Sequence, residues 1–230
     1  MDAALVSLIA ASIAFLGSHF VLSHPLRPAL VKALGEKGFL GFYSLVAFAT
    51  LGWMIWAFRQ SPFEPMAWNG TKDVPWAIAS ALTLVGLTLF LGSLKGNPAL
   101  PDQKVAGLAD KVPTGAFRVT RHPMMWGFAL WAFAHILVSP TPRSVVLAGA
   151  IGLLALVGAH LQDRKKEALL GENWRAWEAK TSYWPRLSQL GAMGWLWLAS
   201  LLFWLAITWV HAPLGYTSAG VWKWIGINWA

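Results

Sequence analysis

One stretch of the chain, RVTRHPMMWGFALWAFAHIL at 118–137, combines basic, imidazole and aromatic side chains with an apolar run. It includes Arg118 and Arg121, and a guanidinium can hold a phosphate or a carboxylate through two parallel hydrogen bonds. Near its end stands His135, and neutral imidazole is a common ligand of metal ions. The stretch therefore predicts an anion-binding group at one end of an apolar helix and a ligand inside it. Arginines that reach for lipid headgroups and a packed histidine are the alternatives.

His135 shares one helical face with Trp131 and Phe128, which precede it by one and two turns. Such a stripe is as typical of ordinary helix packing as of a flat aromatic ligand pocket. For a pocket, heme is the cofactor best suited to an apolar slot between helices that offers neither a carboxylate nor, since the chain has no cysteine, a thiolate. We also expect every acidic residue except Asp2 to lie in a loop, so that no buried carboxylate pair remains for acid–base chemistry.

The composition is that of a membrane protein. Of the 230 residues, 57% are hydrophobic and 12% are charged, whereas about a quarter are charged in soluble proteins. A helix needs about 17 to 25 apolar residues to cross a hydrocarbon core. Six stretches reach or approach that length: 3–23, 38–58, 75–94, 123–139, 144–161 and 191–212. We therefore predict an all-α, multi-pass transmembrane helical bundle of about six spans, in a single domain over residues 1–230.

The net charge of +8 is distributed unevenly between the connecting segments. Lysine and arginine number fourteen on one side of the six predicted spans and four on the other. This asymmetry follows the positive-inside rule and places both termini outside the inner membrane of the cell. Anionic lipid headgroups then account for the basic excess, and no nucleic-acid partner is expected. The stretch 162–180 predicts a cytoplasmic helix that lies along the membrane interface.

Three segments together resemble the NnrU family of multi-pass membrane proteins. In chain order they are GSHFVLSHPLRPALVKALGEKGFLGFYSLV, GAFRVTRHPMMWGFALWAFAHIL and LQDRKKEALLGENWRAWEAKTSYWP. Bacterial members of the family are associated with nitrite and nitric oxide respiration, and its 15-cis-zeta-carotene isomerase branch carries heme b and isomerises a polyene double bond. The resemblance implies a heme-b-binding membrane protein, either a redox-dependent isomerase of a lipid-soluble polyene or a factor that supports respiration.

Carried over residue by residue, the resemblance implies that His19 and His135 are axial ligands of the heme iron. The cysteine of the family's W-C-L-A-H motif is Ala132 here, so a thiolate cannot exchange with either ligand. Helical rise places the two histidines about 10 Å apart along the membrane normal. The alternatives pair His19 with His122, or His135 with His211.

Around the heme, the same interpretation assigns stacking to Trp131 and anchoring of the propionates to Arg121 or Arg118. Two other functions stay open. RHP and the later GENWRAW also resemble, more loosely, the isoprenylcysteine and phospholipid methyltransferases, and His122 would then contact S-adenosylmethionine. The third reading is a non-enzymatic heme-handling or assembly factor with a respiratory complex as its partner.

Overall fold

The computed structural model describes residues 2–100, 107–214 and 218–226, and within these ranges every regular element is helical. Helices, rather than open strands, satisfy all backbone hydrogen bonds inside a bilayer. The elements are α1 Ala3–Ser23, α2 Arg27–Gln60, α3 Asp73–Gly92, α4 Ala116–Val119, α5 Pro123–Val138, α6 Pro142–Leu170, α7 Glu172–Lys180, a 3-10 helix Leu187–Met193, α8 Leu196–Val210 and α9 Trp222–Ile225.

The first two long helices, α1 and α2, form an antiparallel hairpin. The Trp53 indole N–H donates to the Ser7 hydroxyl at 3.1 Å, and the His19 ring meets the Tyr43 ring at the other end of the pair. Within α2 the backbone leaves helical geometry at Gly35, where φ is +70°. Glycine tolerates that conformation because it has no Cβ, so α2 begins as a short helix at Arg27 and then turns into the long one.

The long helices pack in a row in which neighbours are α2 and α1, α1 and α6, α6 and α5, α5 and α3, and α3 and α8. Small residues let these helices approach closely. A Cβ built on Gly127 of α5 would lie 2.7 Å from the Gly86 carbonyl oxygen of α3. On the other side of α5, a Cβ on Gly152 of α6 would lie 3.3 Å from the Ala132 Cβ. The row places α6 between the two helices that carry His19 and His135.

Helix α6 extends well beyond the predicted span 144–161, because it continues to Leu170. The interfacial helix predicted at 162–180 is therefore wrong as a single element. Its first half is the end of α6, and Gly171, with φ at +52°, separates it from α7. The continuation of α6 carries charged residues out of the apolar region on a rigid helix.

All six predicted apolar segments fall on helices, which confirms the all-α class. Within the described residues, four helices are long and apolar enough to cross a membrane, namely α1, α2, α3 and α6. The 3-10 helix and α8 form a fifth candidate if the pair, bent by 91°, is one span. Helix α5 has only 16 residues, about 24 Å at the usual rise. The six-span count and the orientation therefore stay predictions.

Candidate functional site

Three polar side chains meet in the interior at one end of the bundle, which we call the charged end: Arg121, His122 and Asp163. Arg121 donates to Asp163 Oδ2 from Nε at 2.9 Å and from Nη2 at 2.6 Å. His122 Nε2 donates to Asp163 Oδ1 at 2.8 Å. The side chains are 14%, 1% and 7% exposed respectively. Because buried charges are costly unless paired, this network holds α5 and α6 in a fixed relation.

The backbone around Arg121 is fixed by an extended segment that follows α7. The Arg121 amide donates to the Ser182 carbonyl at 2.8 Å, and the Thr120 hydroxyl donates to the Tyr183 carbonyl at 2.8 Å. His122 cannot continue a helix backwards, because Pro123 follows it and restricts its backbone. These contacts present Arg121 and His122 to α6 from the residues directly before α5.

Tyr183, in the extended segment that follows α7, packs against this network. Its ring centroid lies 5.7 Å from that of His122, and its hydroxyl donates to the Leu156 carbonyl at 2.7 Å. Burial, reinforced by the negative charge of Asp163, raises the pKa of the Tyr183 phenol above its ordinary value. Tyr183 is therefore held neutral, as a hydrogen-bond donor to α6.

Asp163 is the residue that the sequence interpretation missed. We expected every acidic residue except Asp2 to lie in a loop, and this expectation is wrong: Asp163 belongs to α6 and is 5% exposed. The available signal was the LQDRKK sequence directly after an apolar run. Continuing the helix by one turn would have placed a carboxylate at the membrane boundary.

The predicted anion-binding arginines occupy different environments. Arg118, on the short helix α4, is exposed to solvent. Arg121 forms an ion pair with Asp163, and its Nη2 also lies 3.4 Å from Glu178 Oε1. His122 is only 2% exposed, and within the described part of the chain its buried Nδ1 has no hydrogen-bond partner. A cofactor contact with Arg121 or His122 would require these groups to rearrange.

The first predicted ligand, His19, lies on α1 near the charged end. Its Nδ1 donates to the Phe15 carbonyl at 2.7 Å, and its ring packs 4.3 Å from the Phe15 ring and 5.5 Å from the Tyr43 ring. Among the described residues, Nε2 has no hydrogen-bond partner. The bond at Nδ1 fixes the tautomer and leaves Nε2 with a lone pair.

The second predicted ligand, His135, repeats this arrangement on α5. Its Nδ1 donates to the Trp131 carbonyl at 2.8 Å, and the two rings lie 4.0 Å apart with 31° between their planes. The predicted stripe of Trp131 and His135 is thus a direct ring contact. His211, after α8, lies within electrostatic reach of His135.

The structure does not bring His19 and His135 together. At the charged end, His24 Nε2 is 3.4 Å from the Leu161 carbonyl oxygen, and Gly152 of the same helix faces Ala132. Leu161 and Gly152, the α6 residues in these two contacts, are nine positions apart. On α1, His19 lies five residues before His24, and on α5, His135 lies three residues beyond Ala132. The two imidazoles therefore differ in depth by about seven residues, roughly 10 Å. The predicted pairing of both imidazoles on one iron does not fit this arrangement.

Two further features bear on the alternatives. Among the described residues, no group of three or more histidine, aspartate or glutamate side chains could hold a metal ion. Trp174 and Trp177 belong to GENWRAW, the segment that resembles the methyltransferases. They are fully buried on α7 and pack with Phe117, whose ring lies 6.0 Å from that of Trp177. S-adenosylmethionine binding stays a prediction.

Comparison with known proteins points to one family. The family described as NnrU protein matches residues 7–219. A stretch of 74 residues is 38% identical to the protein named 15-cis-zeta-carotene isomerase, chloroplastic, of Zea mays, and covers 31% of this chain and 20% of that protein. The protein of the same name in Arabidopsis thaliana is 36% identical over 74 residues, again 31% of this chain and 20% of that protein. The match thus spans about a fifth of the length of these curated relatives. No solved structure matches the chain.

Proposed function

This chain belongs to the NnrU family, and we propose that it is an integral-membrane isomerase that acts on a lipid-soluble polyene and holds heme b on a half-buried imidazole. Support for the reaction class comes from the similarity to the two proteins named 15-cis-zeta-carotene isomerase. Support for a lipid-soluble substrate comes from the long apolar helices, because a polyene dissolves in the hydrocarbon that surrounds them. A role in nitrite or nitric oxide respiration stays a prediction, since neither relative's name refers to it.

The observation that carries the heme proposal is the state of the two histidines. In both His19 and His135 the Nδ1–H is bound to a backbone carbonyl one turn earlier. A hydrogen bond of this kind orients an imidazole for ligation through its other nitrogen. An aromatic ring lies beside each imidazole, Phe15 in one case and Trp131 in the other. Each position therefore fits one axial ligand of a heme iron with an apolar wall beside it.

When bound, heme b supplies a redox-active iron inside the apolar bundle. The chain's own residues hold the imidazole in one tautomer and pack aromatic rings against it. Phe15 and Tyr43 do this for His19, whose ring they contact from two sides. A cis-to-trans change of a double bond adds and removes no atoms, so no buried general acid or base is needed for it.

An absorption spectrum of the protein purified after heme-supplemented expression tests the cofactor. We expect a Soret band, a reduced-minus-oxidised difference, and loss of the band in His19→Ala or His135→Ala. The matched control is His160→Ala, because His160 lies exposed on α6 and should leave the band unchanged. A wild-type protein without a Soret band, or a band that survives both substitutions, would contradict heme ligation by these residues.

Conversion of 15-cis-zeta-carotene in liposomes tests the reaction. The reconstituted protein with reductant should convert the cis isomer to the trans isomer, as separated by chromatography, and the His160→Ala protein should do the same. Should the heme-loaded wild type leave the cis isomer unchanged under reducing conditions, this polyene is not its substrate. The two tests separate the cofactor from the reaction.

We place the charged end in the cytoplasm, with the chain in the inner membrane of the cell, on the strength of the charge asymmetry. The chain has no cysteine, so single introduced cysteines report orientation without background. Arg118→Cys lies at the charged end and Asn69→Cys in the exposed loop after α2. A membrane-impermeant thiol reagent added to intact cells should label only Asn69→Cys, and the reverse result would invert the topology.

A further inference from the structure

Three cationic side chains gather at the charged end beside the α1–α2 turn: Arg27, Lys165 and Lys166. The His24 contact with the Leu161 carbonyl oxygen, at 3.4 Å, holds this turn against α6. Lys165 follows Leu161 by one helical turn and so projects from the same face of α6. The guanidinium of Arg27 lies within electrostatic reach of both lysines. Neighbouring like charges repel, the more strongly the less water separates them.

The charges of this cluster are only partly balanced. Arg27 forms an ion pair with Glu36 at 3.0 Å, and Lys166 Nζ lies 3.4 Å from the Leu100 carbonyl oxygen. Lys165 is half-buried and has no hydrogen bond or ion pair within the part of the chain that the structure describes. Within the described ranges 2–100, 107–214 and 218–226, one carboxylate thus faces three cations.

The other acidic residues on this part of α6 do not supply the missing charge. Asp163 is taken up by Arg121 and His122. Glu167 pairs with Arg175 at 3.0 Å. A half-buried ammonium that faces further cations, with the nearby carboxylates already engaged, is the setting in which an external anion is bound.

A continuous line of aromatic rings joins this cluster to His19. The Tyr43 ring lies 5.5 Å from the His19 ring, and the Phe39 ring lies 6.0 Å from that of Tyr43. The guanidinium carbon of Arg27 is 5.4 Å from the centre of the Phe39 ring. The path therefore leads from an imidazole with a lone pair at Nε2, over flat apolar surfaces, to positive charge that the described residues leave partly unbalanced. That order matches a ligand with a flat apolar body and an anionic end.

We propose that Arg27, Lys165 and Lys166 bind an oxyanion, and that the propionate carboxylates of a heme ligated by His19 occupy this site. The second half of the inference rests on the proposed function. It replaces Arg118 and Arg121 as the anchors, because the first is exposed and the second is consumed by Asp163. It also selects His19 over His135, beside which the described residues place no comparable cationic cluster. The phosphate headgroup of an anionic lipid is the other source of the same chemistry.

Heme b and its dimethyl ester are the probes, because the ester keeps the iron and the ring but removes both carboxylate charges. Each is titrated into heme-free protein in neutral detergent and followed by the Soret absorbance. We expect the wild type to prefer heme b over the ester by about tenfold or more, the scale of charge-assisted hydrogen bonds. The variant Lys165→Gln/Lys166→Gln should lose most of this preference. Lys32→Gln/Lys37→Gln, two exposed lysines of α2 with the same change in net charge, should retain it.

The outcomes separate the inference from the proposed function. Equal affinity of the wild type for heme b and its ester would overturn propionate binding while leaving heme ligation intact. If the wild type binds neither heme b nor its ester, the proposed function fails. The oxyanion site is then tested by measuring the anionic lipid that co-purifies with each protein. Lipid retained by the wild type and by Lys32→Gln/Lys37→Gln but lost from Lys165→Gln/Lys166→Gln would support a lipid-occupied site. No difference in lipid would overturn the site altogether.

Discussion

Removing the charge of Asp163 is the sharpest test of the network at the charged end. The substitution Asp163→Asn keeps the side-chain shape and one oxygen for His122 Nε2, but it leaves the Arg121 guanidinium without its carboxylate. The Arg121 side chain is 14% exposed, so water can restore little of the lost interaction. Breaking a buried pair on one side costs about 3–5 kcal/mol. Because Glu178, at 3.4 Å, still offers Arg121 a partly exposed carboxylate, we expect about 3 kcal/mol, the lower end of that range.

Thermal unfolding in detergent, followed by tryptophan fluorescence, measures this loss. For a chain of this size, 1 kcal/mol corresponds to about 2–4 °C in Tm, so Asp163→Asn should lower Tm by about 6–12 °C. Arg121→Met should be destabilising too, because it leaves the carboxylate short of its main partner. The loss in the free energy of unfolding of the double variant should be smaller than the sum of the two single losses. We expect the difference to exceed about 1 kcal/mol, because the two residues share one interaction.

Glu172→Gln provides the matched control, because Glu172 pairs with Arg175 on the exposed surface of α7, where ion pairs contribute little. It should leave Tm unchanged. A Tm of Asp163→Asn within about 2 °C of the wild type, or strict additivity with Arg121→Met, would refute the view that this pair is desolvated and shared.

Two further predictions concern packing and pH. In Gly127→Ala the new methyl group would lie 2.7 Å from the Gly86 carbonyl oxygen, so α3 and α5 must separate. We expect a loss of about 1–3 kcal/mol in the free energy of unfolding. The control is Gly149→Ala, whose new Cβ would meet no neighbouring element within 4 Å and which should show no loss. Tyr183→Phe removes the hydrogen bond to the Leu156 carbonyl and should cost about 1 kcal/mol. Burial raises the pKa of Tyr183 in the folded state, so the folded protein keeps the phenolic proton to a higher pH than the unfolded chain does. The contribution of this phenol to stability is therefore present below the ordinary tyrosine pKa and falls as pH rises above it. The wild type should therefore lose more Tm between pH 9 and pH 11 than Tyr183→Phe, and equal losses would contradict the raised pKa.

Hydropathy located the helices well but not their ends. An apolar run ends where charged residues begin, yet α6 carries its helix through QDRKKEALL, because polar side chains are compatible with helical geometry once they reach water. The sequence interpretation treated the end of the run as the end of the element. It therefore divided 162–180 from the span before it and missed the break at Gly171.

The same boundary explains why the candidate site was only half predicted. Arg121 and His122 drew attention because arginine and histidine carry recognisable chemistry in a fixed local order. Asp163 did not, because its importance depends on which face of α6 meets the start of α5. Likewise, the cluster of Arg27, Lys165 and Lys166 joins residues far apart in the chain, and positive-inside counting treats each of them as an independent surface charge.

The sequence by itself determined that this protein is a bundle of membrane helices, since long apolar runs leave the backbone no other way to satisfy its hydrogen bonds in lipid. It also determined the local tautomers of His19 and His135, whose Nδ1 atoms reach carbonyls one turn away on their own helices. Helical rise along the sequence also placed these imidazoles about 10 Å apart in depth. Only the tertiary structure decided that Arg121 pairs with Asp163 and that, among the described residues, the cluster of Arg27, Lys165 and Lys166 lies nearer His19. Those relations depend on the order and axial register in which helices pack, and that register is set by contacts between residues distant in sequence.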